Sequence, residues 1–156
     1  MRKFGAIVFG LLLTGGTTQV ACSPCSVHGR TPIEFTGGLV NEARTIYQSG
    51  TVHGEMLHFP EGRRYDFYHG LGVVPVTIHP FLSFKERLEA NGDPDDKTKP
   101  NNVSPAAGNQ VVIEVQNDQI IRVRNDTCAE FYLRIVALAN PDDVTALEGA
   151  AGASSN

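Results

Sequence analysis

Hydrophobic and polar residues alternate most regularly in the last third of this chain. Two runs, at 119–125 and 129–139, have the period of two that is typical of half-buried β-strands, and an apolar run at 110–116 precedes them. The runs at 110–116 and 119–125 flank Asn117-Asp118, a pair that suits a two-residue turn with positive φ. The pattern therefore predicts a three-stranded meander. Its alternation separates Ile121 and Val123 from Arg122 and Arg124, and Phe131, Leu133 and Ile135 from Tyr132, Arg134 and Val136.

Further strands are predicted upstream, between residues that favour turns. Runs at 45–57 and 63–68 are rich in β-branched and aromatic residues, and Phe59-Pro60-Glu61-Gly62 forms a turn between them. His69-Gly70-Leu71-Gly72 predicts a hairpin turn before a strand at 75–84, in which Pro80 indicates an edge or a bulge. No stretch of ten or more residues after the N-terminal segment shows helical periodicity. The pattern predicts an all-β fold, a single small antiparallel β-sandwich or a partly closed barrel.

The segments around this domain are predicted from composition. Residues 85–109 hold three prolines among polar residues and predict one long polar loop, with a helical turn at 85–90. Residues 22–43 predict an N-terminal tether and lead-in, and 44–139 the β-sandwich domain. Residues 140–156 are acidic and then rich in Ala, Gly and Ser, which predicts a flexible tail.

The pattern of residues 1–21 predicts a signal peptide. Met1-Arg2-Lys3 is positively charged, Phe4–Leu13 is apolar apart from two glycines, and 14–21 is small and polar. The apolar run is shorter than the roughly 20 residues that a transmembrane helix needs. The sequence therefore predicts an exported protein.

The cysteines refine this prediction. Val20-Ala21-Cys22 resembles the end of a bacterial lipobox, which implies that Cys22 is diacylated; ordinary cleavage after Ala21 or Ser23 is the alternative. The chain has three cysteines, and an odd number leaves one unpaired in an oxidising compartment. With Cys22 lipidated, Cys25 and Cys128 form the predicted disulfide.

A redox role for the Cys-x-x-Cys pair at 22–25 is the alternative interpretation of these cysteines. A thioredoxin-type pair follows a strand and opens a helix, whereas this pair stands at the end of a signal peptide. Haem attachment requires a histidine where Ser26 stands. Both redox interpretations are therefore disfavoured.

Charge and motifs limit the function classes. The formal net charge is −4, and the leader contributes only basic residues, so the mature chain repels nucleic acid. The sequence has no GxSxG, HExxH, phosphate-binding or dinucleotide-binding motif, which predicts a non-enzymatic protein without a cofactor. Asp93, Asp95 and Asp96 lack the later bidentate Glu of a calcium loop, so they predict a solvated loop. Arg122 and Arg124 are interpreted as a solvated strand face, with anion contacts as the alternative.

Four histidines and one methionine form a candidate metal site. Imidazole and thioether ligands together suit copper in an oxidising compartment. On an extended strand Met56 and His58 share a face, whereas His53 points to the opposite side. A copper or zinc site built from these side chains is the alternative to scattered surface histidines. The candidate ligands are His53, Met56, His58 and His79, with His69 in the neighbouring turn.

A family resemblance is carried by the run MLHFPEGRRYDFYHGLGVVPVTIHPFLSF and the later run FYLRIVALA. This layout resembles H-type lectin and phage tail-fibre tip domains. The shared features are a strand start with Pro, a His-Gly turn before Leu-Gly-x-x-Pro, and a last strand that ends in an aliphatic-Ala pattern. The resemblance covers residues 56–139. It implies a β-sandwich that binds carbohydrate or assembles into oligomers.

These observations predict a non-enzymatic binding or interaction module that is anchored to the bacterial cell envelope or secreted. Its predicted partner is a glycan or another envelope protein, and its membrane contact is a lipid anchor; homo-oligomers remain open. In the carbohydrate-binding form, Tyr65 and Tyr68 are the exposed aromatic residues expected to contact sugar rings. The alternative is the periplasmic copper or zinc protein.

Overall fold

The computed structural model describes residues 31–52, 54–86, 103–108 and 110–153. The described part contains ten strands and one helix. They are β1 (Ile33–Phe35), β2 (Leu39–Val40), β3 (Ile46–Gln48), β4 (Leu57–Phe59), β5 (Arg64–Tyr68), β6 (Thr77–Ser83), β7 (Ser104–Pro105), β8 (Val111–Gln116), β9 (Ile120–Asn125), β10 (Phe131–Leu138) and α1 (Pro141–Ala153).

The strands form two sheets. The first sheet has the order β1-β5-β9-β8, and the second has the order β2-β3-β10-β6-β7, with β4 also paired to β10. The predicted all-β sandwich is confirmed. One pair departs from the antiparallel prediction, because β1 runs parallel to β5.

The core lies between the two sheets. Alternate residues of β10 are buried, as the sequence pattern predicts, and Leu133 and Ile135 are 0% exposed. Phe67 and Ile121 face them from the first sheet and are equally buried. Since successive residues of a strand point to opposite faces, the residues between them lie on the outer surfaces of the sandwich.

The predicted meander is wrong in its last connection. β8 and β9 form a hairpin in the first sheet, whereas β10 belongs to the second. The chain crosses between the sheets after Asn125, which is 0% exposed. The Asn125 amide nitrogen donates to the carbonyl oxygens of Phe59 (2.8 Å) and Ala129 (2.9 Å). These bonds join the end of β9 to β4 and to the start of β10, and they fix the crossing.

The β8–β9 turn is placed correctly, but its predicted conformation is wrong. Neither Asn117 nor Asp118 has positive φ; among the described non-glycine residues only Arg44 does, at 52°. The Asn117 side-chain oxygen instead accepts the N–H groups of Gln119 (2.8 Å) and Ile120 (2.7 Å). A side chain thus supplies the turn hydrogen bonds.

The predicted domain boundaries also change. β1 and β2 lie within the predicted lead-in, so the sandwich begins before residue 44. The predicted flexible tail at 140–156 and the predicted absence of helix are both wrong over residues 141–153, which form α1. Pro141 occupies the first helical position, and the Asn140 side chain accepts the Asp142 N–H at 3.3 Å. Val144 is 4% exposed and packs the helix onto the core.

Strand β6 explains the position of Pro80. Its partner in β10 is Ile135, and its carbonyl oxygen accepts the Ala106 N–H at 2.9 Å. The peptide groups of Pro80 therefore face the short edge strand β7, where the missing N–H costs no bond to β10. The predicted edge or bulge at Pro80 is wrong, because β6 lies between β10 and β7 and keeps an unbroken register with β10; the edge strand is β7. Most of the predicted long loop lies outside the described residues, including the three aspartates.

Candidate ligand-binding face

The outer face of the first sheet carries charges that neutralise one another. Arg64 and Arg124 lie directly opposite on β5 and β9. Glu114 sits between them at a register shift in β8 and accepts from Arg64 Nε (2.9 Å) and Arg124 Nε (2.7 Å). Burial acts to raise the pKa of Glu114, but the two arginine hydrogen bonds outweigh it and lower that pKa.

A second ion pair continues this network. Arg122 Nε and Nη2 donate to the two carboxylate oxygens of Asp66 at 2.6 and 2.7 Å. The hydrogen bond with Asp66 raises the pKa of Arg122, and the Asp66 residue is only 7% exposed. The arginines of the first sheet thus have their carboxylate partners within the sheet, which favours the interpretation of a strand face over anion contacts.

The outer face of the second sheet has a different composition. We define the outer β10 face as Tyr132, Arg134 and Val136 of β10 with their neighbours. Residues directly opposite on paired strands share a face. His58 pairs with Tyr132, Phe81 with Arg134, and His79 with Val136, and these three neighbours complete the face.

Aromatic rings and one guanidinium make up the centre of this face. The rings of His58 and Tyr132 have centroids 5.6 Å apart. The Arg134 Cζ lies 5.4 Å from the centroid of the Phe81 ring, a cation–π arrangement. At one end His58 Nε2 contacts the Glu130 carboxylate at 2.8 Å. Ligand surfaces commonly combine such apolar rings with a few fixed polar groups.

Arg134 differs from the arginines of the first sheet. Its Nη1 donates to the Thr51 carbonyl oxygen at 3.1 Å, and its Nε is buried without a hydrogen-bond partner. Burial lowers the pKa of Arg134. Among the described residues no carboxylate lies within ion-pairing distance of this guanidinium.

A shallow pocket adjoins the outer β10 face. Its volume is about 200 Å³. Gln48 connects the two, because it lines the pocket and pairs with Val136. Leu39 is 55% exposed at the pocket's edge, so the pocket can accept an apolar group. The lining residues are Leu39, Val40, Asn41, Ile46 and Gln48.

The two tyrosines predicted to contact sugar lie on opposite faces of β5. Tyr65 was expected to be exposed, and this is wrong: it is 8% exposed in the core. Its hydroxyl donates to the His58 carbonyl oxygen at 2.9 Å, and burial raises its pKa. Tyr68 is 41% exposed, on the outer face of the first sheet. Residues an odd number apart on a strand point to opposite faces, so these two cannot form one site.

The predicted metal ligands are not brought together where they are described. His58 and His79 share the outer β10 face but lie on opposite sides of β10, opposite Tyr132 and Val136. That register separates them by roughly 13 Å along the strand direction alone. Met56 is 4% exposed, and His53 lies outside the described residues. No group of three or more His, Cys, Asp or Glu side chains suited to a metal occurs within the described ranges.

His69 is a buried structural residue. It is 0% exposed, and its Nε2 lies 3.0 Å from the Asn117 carbonyl oxygen. Gly70 and Gly72 follow it with φ of 65° and 79°. The predicted turn is present, but it joins β5 of the first sheet to β6 of the second, so the hairpin prediction is wrong.

The cysteine predictions are only partly within the described chain. Cys128 is exposed in the connection between β9 and β10, and it is disulfide-bonded. Cys22 and Cys25 lie outside the described residues. Lipidation of Cys22 and pairing of Cys25 with Cys128 therefore stay predictions. In the part of the chain that is described, no helix has the length and apolar character to cross a membrane.

Phe81, Tyr132 and Arg134 were not predicted as a site from the sequence. The alternation in β10 separates Tyr132 and Arg134 from the core residues, so their outward direction was available. Their neighbours His58 and Phe81 come from strands more than 45 residues earlier in the chain, and no local pattern encodes that register.

Comparisons with known proteins assign no family. The chain matches no protein-family model, and no curated protein or solved structure is significantly similar to it. The resemblance to H-type lectin and tail-fibre tip domains stays a prediction.

Proposed function

We propose that this protein is a non-enzymatic binding module of the bacterial envelope, lipid-anchored through Cys22 or secreted, that binds carbohydrate on the outer β10 face. The observation that carries the proposal is the arrangement of Tyr132, His58, Phe81 and Arg134 on one sheet surface. Aromatic rings offer flat apolar area for the C–H face of a sugar ring. Arginine and imidazole nitrogens offer hydrogen bonds to its hydroxyl groups.

The sheet gives this surface the rigidity that a binding site needs. Tyr132 and Arg134 project from the strand between β6 and the β3/β4 side, so backbone pairs flank both of them. Side chains held by regular elements lose less conformational entropy on binding than side chains on loops. The nearby pocket at Leu39 and Gln48 extends the surface toward the sheet edge.

Export is supported by two features of different kinds. The pattern of residues 1–21 is typical of a signal peptide. Cys128 is disulfide-bonded, and such bonds persist mainly in oxidising compartments. Both features favour an envelope or extracellular location, where glycans and other envelope proteins are available as partners.

The proposal is tested by comparing Tyr132→Ala with Tyr68→Ala on a glycan array, followed by calorimetry with any glycan that binds. Both tyrosines are on outer faces, but of opposite sheets, so Tyr68→Ala is a matched control. We expect Tyr132→Ala to weaken binding at least about tenfold, since a central aromatic contact commonly contributes more than 1.4 kcal/mol. Tyr68→Ala should bind like the wild type.

Three outcomes would count against the proposal. Loss of binding in Tyr68→Ala alone would move the site to the first sheet. Equal binding by all three proteins would remove the outer β10 face as the site. An array without any bound glycan would reject carbohydrate as the ligand and leave an envelope protein as the partner. Thermal unfolding of each variant separates lost contacts from lost folding.

A further inference from the structure

Arg134 carries a positive charge that the described fold leaves without a partner. Arg64, Arg122 and Arg124 each donate to a carboxylate of the first sheet at 2.6–2.9 Å. Arg134 donates only to the Thr51 carbonyl oxygen among the described residues, and its Nε has no acceptor. A partly buried charge without a counter-charge is costly, so an anion that reaches it gains more than an anion at a fully solvated arginine.

Among the described strand residues around Arg134 there is no competing carboxylate. Its outward-facing neighbours on the paired strands are neutral or histidine, and none of the strand residues on this side of the second sheet is acidic. Glu130 stands at the end of the face and is engaged by His58. The acidic side chains Asp66 and Glu114 lie on the opposite surface of the sandwich.

The guanidinium is also held in place. Phe81 lies against it at 5.4 Å, and the Thr51 carbonyl fixes Nη1. With Nη1 bonded to Thr51 and Nε buried, Nη2 is the guanidinium nitrogen left to donate to a carboxylate. Tyr132 and Arg134 are two positions apart on one strand, so their side chains emerge about 7 Å from each other. This spacing matches one sugar ring and a carboxylate attached to it.

We infer that the outer β10 face recognises a carboxylate-bearing saccharide, with Arg134 binding the carboxylate and Tyr132 contacting the ring. This inference rests on the proposed function and names the chemical class of its ligand. The net charge of −4 does not oppose it at short range. Charges separated by more than about 8–10 Å are largely screened at physiological salt, and the carboxylates Asp66 and Glu114 are neutralised by arginines on the opposite side of the sandwich.

The inference is tested with uronic-acid and sialic-acid oligosaccharides, each paired with its methyl ester. The ester keeps the ring and removes the negative charge. We expect the full-length protein to bind at least one acid about tenfold or more tightly than its ester, the range for a hydrogen bond to a charged group. Arg134→Gln should remove this preference, and Arg134→Lys should restore part of it, since lysine keeps the charge without the planar fork.

Arg124→Gln is the matched control, because it removes an arginine from the outer face of the first sheet. It should keep the preference for the acid. An acid-to-ester ratio near one in the wild type, or an unchanged ratio in Arg134→Gln, would overturn the inference; binding that still depends on Tyr132 would then leave the proposed function standing. An absence of binding to every saccharide would overturn both. If Arg124→Gln also lost the preference for the acid over its ester, the preference would come from the overall charge of the protein, and the assignment to Arg134 would be overturned.

Discussion

At the scale of single residues, His69 shows how the fold selects one form of a titratable group. Its Nδ1 accepts the Leu71 N–H at 3.2 Å, and its Nε2 faces the Asn117 carbonyl oxygen. Both contacts are satisfied by the neutral ring with its proton on Nε2. A second proton would have to occupy Nδ1, where the Leu71 N–H already points. Burial lowers the pKa of His69, although Asn117 and Asp118 act in the opposite direction.

This lowered pKa predicts a loss of stability in mild acid. The unfolded chain takes up a proton near pH 6.5, whereas folded His69 does so only at lower pH. The contribution of neutral His69 to the free energy of unfolding should therefore be complete above pH 6.5. It should fall below that pH by up to about 1.4 kcal/mol per pH unit until the folded pKa is reached. Urea denaturation between pH 7.5 and 5 measures this slope.

The matched variants for this prediction are His69→Gln and His79→Gln. His69→Gln should be less stable at pH 7.5, because a buried contact is lost, and its slope between pH 6.5 and 5 should be flatter. His79→Gln removes an exposed imidazole and is the matched control, so the effect of His69 is the difference in slope between the two variants. The same slope in His69→Gln as in the wild type would assign the acid sensitivity to other groups.

At the scale of elements, the crossing from β1 to β2 depends on a close approach of the backbone. β1 belongs to the first sheet and β2 to the second, and Gly38 just before β2 has φ of 111°. A Cβ on Gly38 would lie 2.6 Å from the Gln48 carbonyl oxygen and 2.7 Å from the Tyr47 ring. The Tyr47 hydroxyl donates to the Gly37 carbonyl oxygen at 3.0 Å, which holds this crossing against the second sheet.

We therefore expect Gly38→Ala to lower the free energy of unfolding by about 2–5 kcal/mol, from backbone strain and from the clash together. Gly108→Ala is the control, because Gly108 has φ of 48° but nothing within 4 Å of an added Cβ. It should cost only about 1–2 kcal/mol. Chemical denaturation of both variants checks the difference. Equal losses would mean that positive φ alone, and not the contact with β3, accounts for the cost.

The strands and their faces could be predicted, but their partners could not. Period-two alternation identified the buried side of β10, since it reflects burial of each residue. The same pattern placed β9 next to β10, although a buried Asn125 sends them to different sheets. Such a choice depends on hydrogen bonds between residues far apart in the sequence. The candidate site could not be predicted for the same reason, because it depends on the contact between Arg134 and Phe81, which come from different strands.

The helix was missed for a different reason. The Ala, Gly and Ser of the tail outweighed a local start signal, in which Asn140 and Pro141 precede Asp142 and Asp143. Those residues are typical of a helix N-terminus. Tertiary contact completes the signal, because Val144 packs on the core. Val144 and Leu147 are the two large apolar residues of the helix, and two are too few to show as helical periodicity.

At the scale of the whole molecule, charge is divided between the two sides of the sandwich. The first sheet pairs Arg64, Arg124 and Glu114 within its own surface, whereas Arg134 on the second sheet has no described carboxylate partner. A domain tethered at its N-terminus needs a free face to meet a large partner. The arginine ion pairs occupy the outer face of the first sheet. The outer β10 face, on the opposite side, carries a guanidinium that has no ion-pair partner among the described residues.

The cysteines of the predicted N-terminal tether have separate roles that can be tested. If Cys22 is lipidated and Cys25 pairs with Cys128, the disulfide closes a loop of about 100 residues, which in the chain-entropy model stabilises the fold by roughly 4–5 kcal/mol. Peptide mapping of the exported protein without reductant should join Cys25 to Cys128. Cys25→Ser should lower the melting temperature by roughly 15 °C, whereas Cys22→Ser should leave it nearly unchanged and release the protein from membranes.

The mapping distinguishes the two ways of using the cysteines. A thioether-linked lipid occupies the sulfur of Cys22, so that sulfur cannot also form a disulfide. A peptide that joins Cys22 to Cys128 would therefore exclude the lipid anchor and favour ordinary cleavage, with Cys25 as the remaining thiol. A peptide that joins Cys25 to Cys128 would leave Cys22 available as the anchor, and the outer β10 face would then lie a short tether away from a membrane surface.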